Sequence, residues 1–145
     1  MILYTVVLRR REFNEPMDGI VYGVVVSLGF ATYENYDYVF RLAEQWNIDP
    51  QQMAIWRSYS AVPMHGLNGA IMGFYFGYYV FKGGKKYLIA ALAIPYLIHG
   101  FYNFVSYPFH YFIVVGILIY ALILHSNLKM TQSEKKKEQE AKKIR

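Results

Sequence analysis

GIVYGVVVSLGFATYENYDYVF, residues 19–40, holds no charge over its first fifteen positions and then carries Glu34. A bilayer core about 30 Å thick is crossed by about 20 helical residues. The stretch therefore reads as a membrane-crossing helix that takes a carboxylate into the far half of the core. An ionised side chain there costs several kcal/mol unless a partner or water meets it, which marks Glu34 as a functional candidate.

The rest of the chain fits the same class. Its 145 residues are 55% hydrophobic and 19% aromatic, and apolar runs of near-spanning length recur along it. The spacing predicts an all-α, polytopic transmembrane helix bundle with four full spans, at 18–42, 59–81, 87–107 and 111–128. An N-terminal half-span precedes them, because Met1 to Leu8 is apolar and then meets Arg9, Arg10 and Arg11. Those charges follow the apolar run instead of preceding it, and no small-residue cleavage site appears, so a signal peptide is excluded. A polar loop at 43–57 joins the first two spans, and a short turn containing Pro108 and His110 joins the last two. Residues 1–128 are read as one transmembrane domain and 129–145 as a basic cytoplasmic tail.

Charge sets the expected orientation. The tail holds seven of the 15 basic residues against three acidic ones. After a membrane span such a tail is a topology anchor or a lipid-surface contact, so nucleic acid is not an expected partner. Arg9 to Arg11, Lys82 with Lys85 and Lys86, and the tail all fall on one side of an alternating four-span path. That side is the cytoplasmic one, with the C-terminus inside, in an integral membrane protein. The chain has no cysteine, which excludes disulfides, thiolate metal ligands and a cysteine nucleophile.

Gly69, Gly73 and Gly77 recur every fourth residue, as do Gly19 and Gly23. Small residues at that interval let helix backbones approach, and packing accounts for them. The polar residues are different. At about 1.5 Å per residue, Glu34, His65 and His99 each lie about 18–22 Å above the cytoplasmic edge, with Asn103 one turn beyond His99 on the same face. Three helices thus bring a carboxylate, two imidazoles and an amide to one layer. His110 and His125 fall outside that layer and are read as interfacial. There is no His-Glu-x-x-His zinc motif, no Gly-x-Ser-x-Gly elbow, and no serine with a base at recognisable spacing. Tyr36-Asp37 lacks the second element of an aspartyl intramembrane protease. Glutamate and histidine remain, a pair suited to activating water either as general base or through a metal ion.

At this point the blocks EFNEPMDGIVYGVVVSLGFATYENYDYV, VPMHGLNGAIMGFYFG and LIHGFYNF resemble the PrsW family of bacterial intramembrane proteases, relatives of the CAAX-processing and bacteriocin-processing membrane proteases. Phe30 to Glu34 looks like the family's Phe-x-x-x-Glu motif, His65 heads the next, and His99 to Asn103 resembles His-x-x-x-Asp/Asn. The resemblance implies an intramembrane endopeptidase that hydrolyses peptide bonds of membrane-anchored protein substrates within the lipid bilayer. It implies Glu34, His65, His99 and Asn103 as catalytic residues, the Glu and His side chains activating water and a His/Asn pair steadying the oxyanion. The cofactor is left open; zinc is the candidate, with Glu34, His65 and His99 as candidate ligands. The family's first motif, Glu-Glu-x-x-Lys, belongs just upstream of ILYTVVLRRREF on the same helix, so the chain is expected to lack N-terminal helices and to be inactive as written. The alternatives are a non-catalytic membrane scaffold that binds substrate helices, and a small transporter or proton relay.

Overall fold

The computed structural model of the chain describes residues 13, 15–105 and 109–144, with side chains to residue 129 of the last helix. Among the described residues all regular structure is helical. The expected half-span before Glu12 lies outside them.

Helix α1 (Pro16–Asp37) begins with proline at a first-turn position, where its missing N–H leaves no helical bond unmade. Asp18 Oδ2 accepts the Glu15 N–H at 2.8 Å at that end. The helix runs on through a π-helical segment, Tyr38–Leu42, into the short α2 (Ala43–Gln45). Next comes α3 (Pro50–Tyr59), where the sequence reading expected a loop. Its start is written in Asp49-Pro50: the Asp49 side chain accepts from the Gln52 N–H at 2.9 Å. Low hydropathy concealed it, since α3 buries only Met53 and Arg57, one turn apart on one face.

Helix α4 (Ala61–Lys82) is the hub of the bundle. Helices α1, α5 (Lys85–Phe104) and α6 (His110–Ile144) all pack on it, and α1 packs chiefly there. Nearly half of the residues of α4 are buried, including His65 and Asn68. Between α4 and α5 the chain turns through Gly83 and Gly84, both at positive φ (75° and 98°), where a side chain would be strained.

The α1–α4 contact is a backbone-to-backbone seam. A Cβ placed on Gly69 would lie 2.6 Å from the Gly23 carbonyl oxygen, and one on Gly77 would lie 2.7 Å from that of Pro16. A Cβ on Gly19 or Gly23 would collide with the carbonyls of Gly73 and Gly69. On the other side of α4, Ile71 and Phe74 pack with Ile117, Leu124 and Leu128 of α6. The Tyr75 and Tyr120 hydroxyls hydrogen-bond across that contact.

The outer surface is apolar, with Val21, Val25, Leu92, Leu97, Phe112 and Ile119 exposed, as suits side chains that meet lipid. Two helices, Lys85–Phe104 and His110–Lys129, are long and apolar enough to cross a membrane. The first two expected spans also form helices of 22 residues each, α1 and α4. They are less apolar, because α1 carries three acidic residues and α4 is rich in glycine and tyrosine and holds His65 and Asn68. By length and composition, then, two of the four expected spans qualify among the described residues.

Candidate active site

The glycine seam of α1 continues upward as Ser27, Phe30, Ala31 and Glu34, all on the face that meets α4. On α4 the seam face continues in the opposite chain direction, through Gly69, to His65. Ser27 Oγ donates to the His65 carbonyl at 2.7 Å and ties the two helices one layer below Glu34. The third helix is fixed by Asn68, whose Nδ2 donates to the Pro95 carbonyl at 2.9 Å. His99 lies one turn beyond Pro95 on α5. The three-helix layer expected from depth counting thus has a packing cause in close-set backbones below and a hydrogen-bonded clasp on either side.

At the top of the seam Glu34 Oε2 lies 3.0 Å from His65 Nε2, and Glu34 Oε1 lies 3.5 Å from His99 Nε2. The two imidazole centroids are 5.0 Å apart. Phe30 leans on both rings, at centroid distances of 5.7 Å and 6.1 Å, while remaining 51% exposed. His65 is buried at 3% exposure.

A fourth residue completes the arrangement. Arg57, at the end of α3, is 8% exposed. Its Nη2 donates to Glu34 Oε2 and its Nε to Asn35 Oδ1, both at 2.6 Å, and its guanidinium lies 3.8 Å over the Tyr38 ring. The sequence reading had used Arg57 only as the end of a polar loop. Its signal was present as a cation at the start of the second expected span, on the same side of the membrane as Glu34.

Asn103 departs from expectation. Its Nδ2 stands 3.5 Å from His99 Nε2 on an exposed face. It lines a cavity beyond Arg57, whereas His65 and His99 line the cleft between α1 and α5. His99 and Asn103 together line a further space along α5. Asn103 is one turn too far along α5 to reach the carboxylate that its neighbour meets. His110, read as interfacial, packs on Tyr102 at 4.6 Å between ring centroids and lines the same cavity as Arg57.

One carboxylate oxygen and two imidazole nitrogens, all within 4.8 Å of one another, form a donor set that could hold a metal ion. Bonds of about 2.0–2.1 Å in tetrahedral geometry put ligand atoms about 3.3 Å apart, and a catalytic zinc keeps three protein ligands and one open position. Glu34 Oε2 stands 3.0 Å from His65 and Oε1 stands 3.5 Å from His99, so the two imidazoles meet different oxygens at near-ligand spacing. The donor types fit such an ion.

The profile of the PrsW family intramembrane metalloproteases matches residues 1–126. The chain belongs to the PrsW family. It is 34% identical over 128 residues to Protease PrsW of Clostridioides difficile, which covers 86% of this chain and 52% of that protein. It is 41% identical over 104 residues to Protease PrsW of Geobacillus kaustophilus, over 70% of this chain and 43% of the relative. Protease PrsW of Bacillus subtilis is also 41% identical, over 107 residues, 72% of this chain and 46% of the relative. The chain thus spans about half the length of these PrsW relatives. No solved structure matches it.

Proposed function

We propose that the protein takes part in hydrolysing peptide bonds of membrane-anchored proteins inside the bacterial cell membrane, with Glu34, His65 and His99 at the site of water activation. The observation that carries this reading is the meeting of those three side chains, each from a different helix, within 4.8 Å. A lone membrane histidine is readily explained by helix packing; a carboxylate and two imidazoles from three helices, closed from the far side by an arginine, are not.

The attacking water's oxygen bonds to the scissile carbonyl carbon, and its proton passes to the Glu34–His65 pair. The carbon–nitrogen bond then breaks and the proton is returned to the leaving amine. Arg57 donates to Oε2, the oxygen that also faces His65, and leaves Oε1 toward His99. The His99–Asn103 pair, on the exposed face of α5, is placed to donate to the developing oxyanion. If zinc is the resident ion, it supplies Lewis-acid polarisation of the scissile carbonyl, and Glu34, His65 and His99 would hold it. In this reading α1 and α4 cross the membrane with α5 and α6, giving four spans, with the Lys82–Lys86 turn and the end of α6 cytoplasmic.

The test is cleavage of a membrane-anchored reporter by the protein in proteoliposomes. Glu34→Gln and His65→Ala should each lower turnover about 10²–10⁴-fold. Cleavage that survives both substitutions would reject the assignment.

A further inference from the structure

Two spaces flank the Glu34 carboxylate, and they differ in kind. The first is the cleft of about 250 Å³ between α1 and α5, lined by Phe30, His65, Met72, Tyr96 and His99. Its rim is apolar and outward-facing, with Tyr96 78% exposed and Leu97 beside it 66% exposed. The second is a cavity of about 340 Å³ at the end of the bundle away from Lys82 to Lys86, bounded by α3, the ends of α1 and α5, and the start of α6. Its lining includes Arg57, Ser60, Asn103 and His110 beside Tyr38 and Trp56. Tryptophan and tyrosine collect where a membrane protein meets the water interface, and Tyr38 and Trp56 on this cavity suit such a place.

Arg57 links this cavity to the site. It lines the cavity and touches Glu34 at 2.6 Å. A guanidinium has five N–H donors, and the bonds to Asn35 and Glu34 engage one on Nε and one on Nη2. The other three have no hydrogen-bond partner among the described residues, yet none of the Arg57 nitrogens is sealed without one. Donors of a buried cation need acceptors, and a polar cavity is where water supplies them. At about 30 Å³ per molecule the space admits on the order of ten waters.

We propose that this cavity is the route by which water reaches the site, arriving at Glu34 past the Arg57 guanidinium from the loop end of the bundle. The α1–α5 cleft, opening to lipid, is left to the peptide. The inference rests on the hydrolytic reading above, since each peptide bond cut consumes one water that lipid does not provide. It separates the entrances of the two reactants: Arg57, Ser60 and His110 border one, Phe30 and Tyr96 the other.

The absence of native cysteine gives a clean background for testing accessibility. Ser60→Cys and Val105→Cys place thiols on the cavity wall, Tyr96→Cys on the lipid rim, and Gln51→Cys on the exposed face of α3. Each full-length variant in proteoliposomes is treated with a membrane-impermeant cationic methanethiosulfonate, and the lipid rim also with lipid-soluble N-ethylmaleimide. Thiols react as thiolates, which water supports and lipid does not, so the cavity variants should react within about tenfold of Gln51→Cys and Tyr96→Cys at least about 100-fold more slowly. Two cavity positions guard against a misfolded single variant. Cavity thiols as slow as Tyr96→Cys, or a Tyr96→Cys thiol as fast as Gln51→Cys, would overturn the proposal. Labelling needs no turnover, so these rates decide the water route separately from any cleavage assay of the protease reading.

Discussion

Replacing Gly23 with alanine tests the seam and the site together. The added Cβ would lie 2.8 Å from the Gly73 Cα and 2.9 Å from the Gly73 nitrogen, against 3.4–4 Å for ordinary contact, and it would overlap the Gly69 carbonyl oxygen. All three are backbone atoms, so no rotamer change relieves them and α1 must move off α4 by about 1 Å. Overpacking of this kind costs about 1–3 kcal/mol, and a gap of that size forfeits a quarter to a half of each dispersion contact along the seam. Glu34 lies eleven residues further along the same helix, about 16 Å away, and travels with it. Its 3.0 Å contact with His65 then lengthens to about 4 Å, and misplacement by that amount costs about 10²-fold in rate. Gly29→Ala is the control, because nothing lies within 4 Å of its Cβ position and alanine is favoured over glycine in a helix by about 0.8–1.0 kcal/mol. Unfolding in mixed micelles, followed by helical circular dichroism, should show Gly23→Ala destabilised and Gly29→Ala unchanged or more stable. Equal stability of Gly23→Ala and the parent, or equal losses in both variants, would refute the close-packing account.

Arg57→Met should destabilise the bundle by about 3 kcal/mol, the low end for breaking a buried pair because two imidazoles still meet Glu34; the same micelle titration measures it. Asp49→Ala removes the cap of α3 and should cost about 1 kcal/mol, read as an earlier shift in Trp56 fluorescence as the helix bearing Arg57 frays. Tyr75→Phe and Tyr120→Phe should each cost about 1 kcal/mol, with the double variant losing no more than the worse single one, because both remove the same hydrogen bond.

Hydropathy found the helices that face lipid and missed what is buried between them. The apolar runs, the glycine intervals and the depth of Glu34, His65 and His99 all follow from spacing, because a helix converts residue count into height. The role of Arg57 does not. It sits in a segment whose charges and glutamines read as loop, and only tertiary packing shows that α3 folds back to press its guanidinium onto α1. Asn103 stands where depth counting put it, one turn beyond His99, but depth says nothing of how far a side chain stands from the seam. Two expected spans fall short by composition because α1 carries acidic residues and α4, wrapped by its neighbours, carries glycine, histidine and asparagine where a lipid-facing helix would need leucine.

The hub position of α4 also bears on how the protein is made. Chains enter the membrane from the N-terminus, so α1 emerges with Glu34 well before its partners Arg57 and His65, 23 and 31 residues later. Among the described residues the glycine face of α1 meets its partner backbone only in α4. Helices α5 and α6 follow onto a surface that α4 already provides. The arrival of α4 therefore closes the seam and, with Arg57 of α3 just ahead of it, brings His65 to the Glu34 carboxylate.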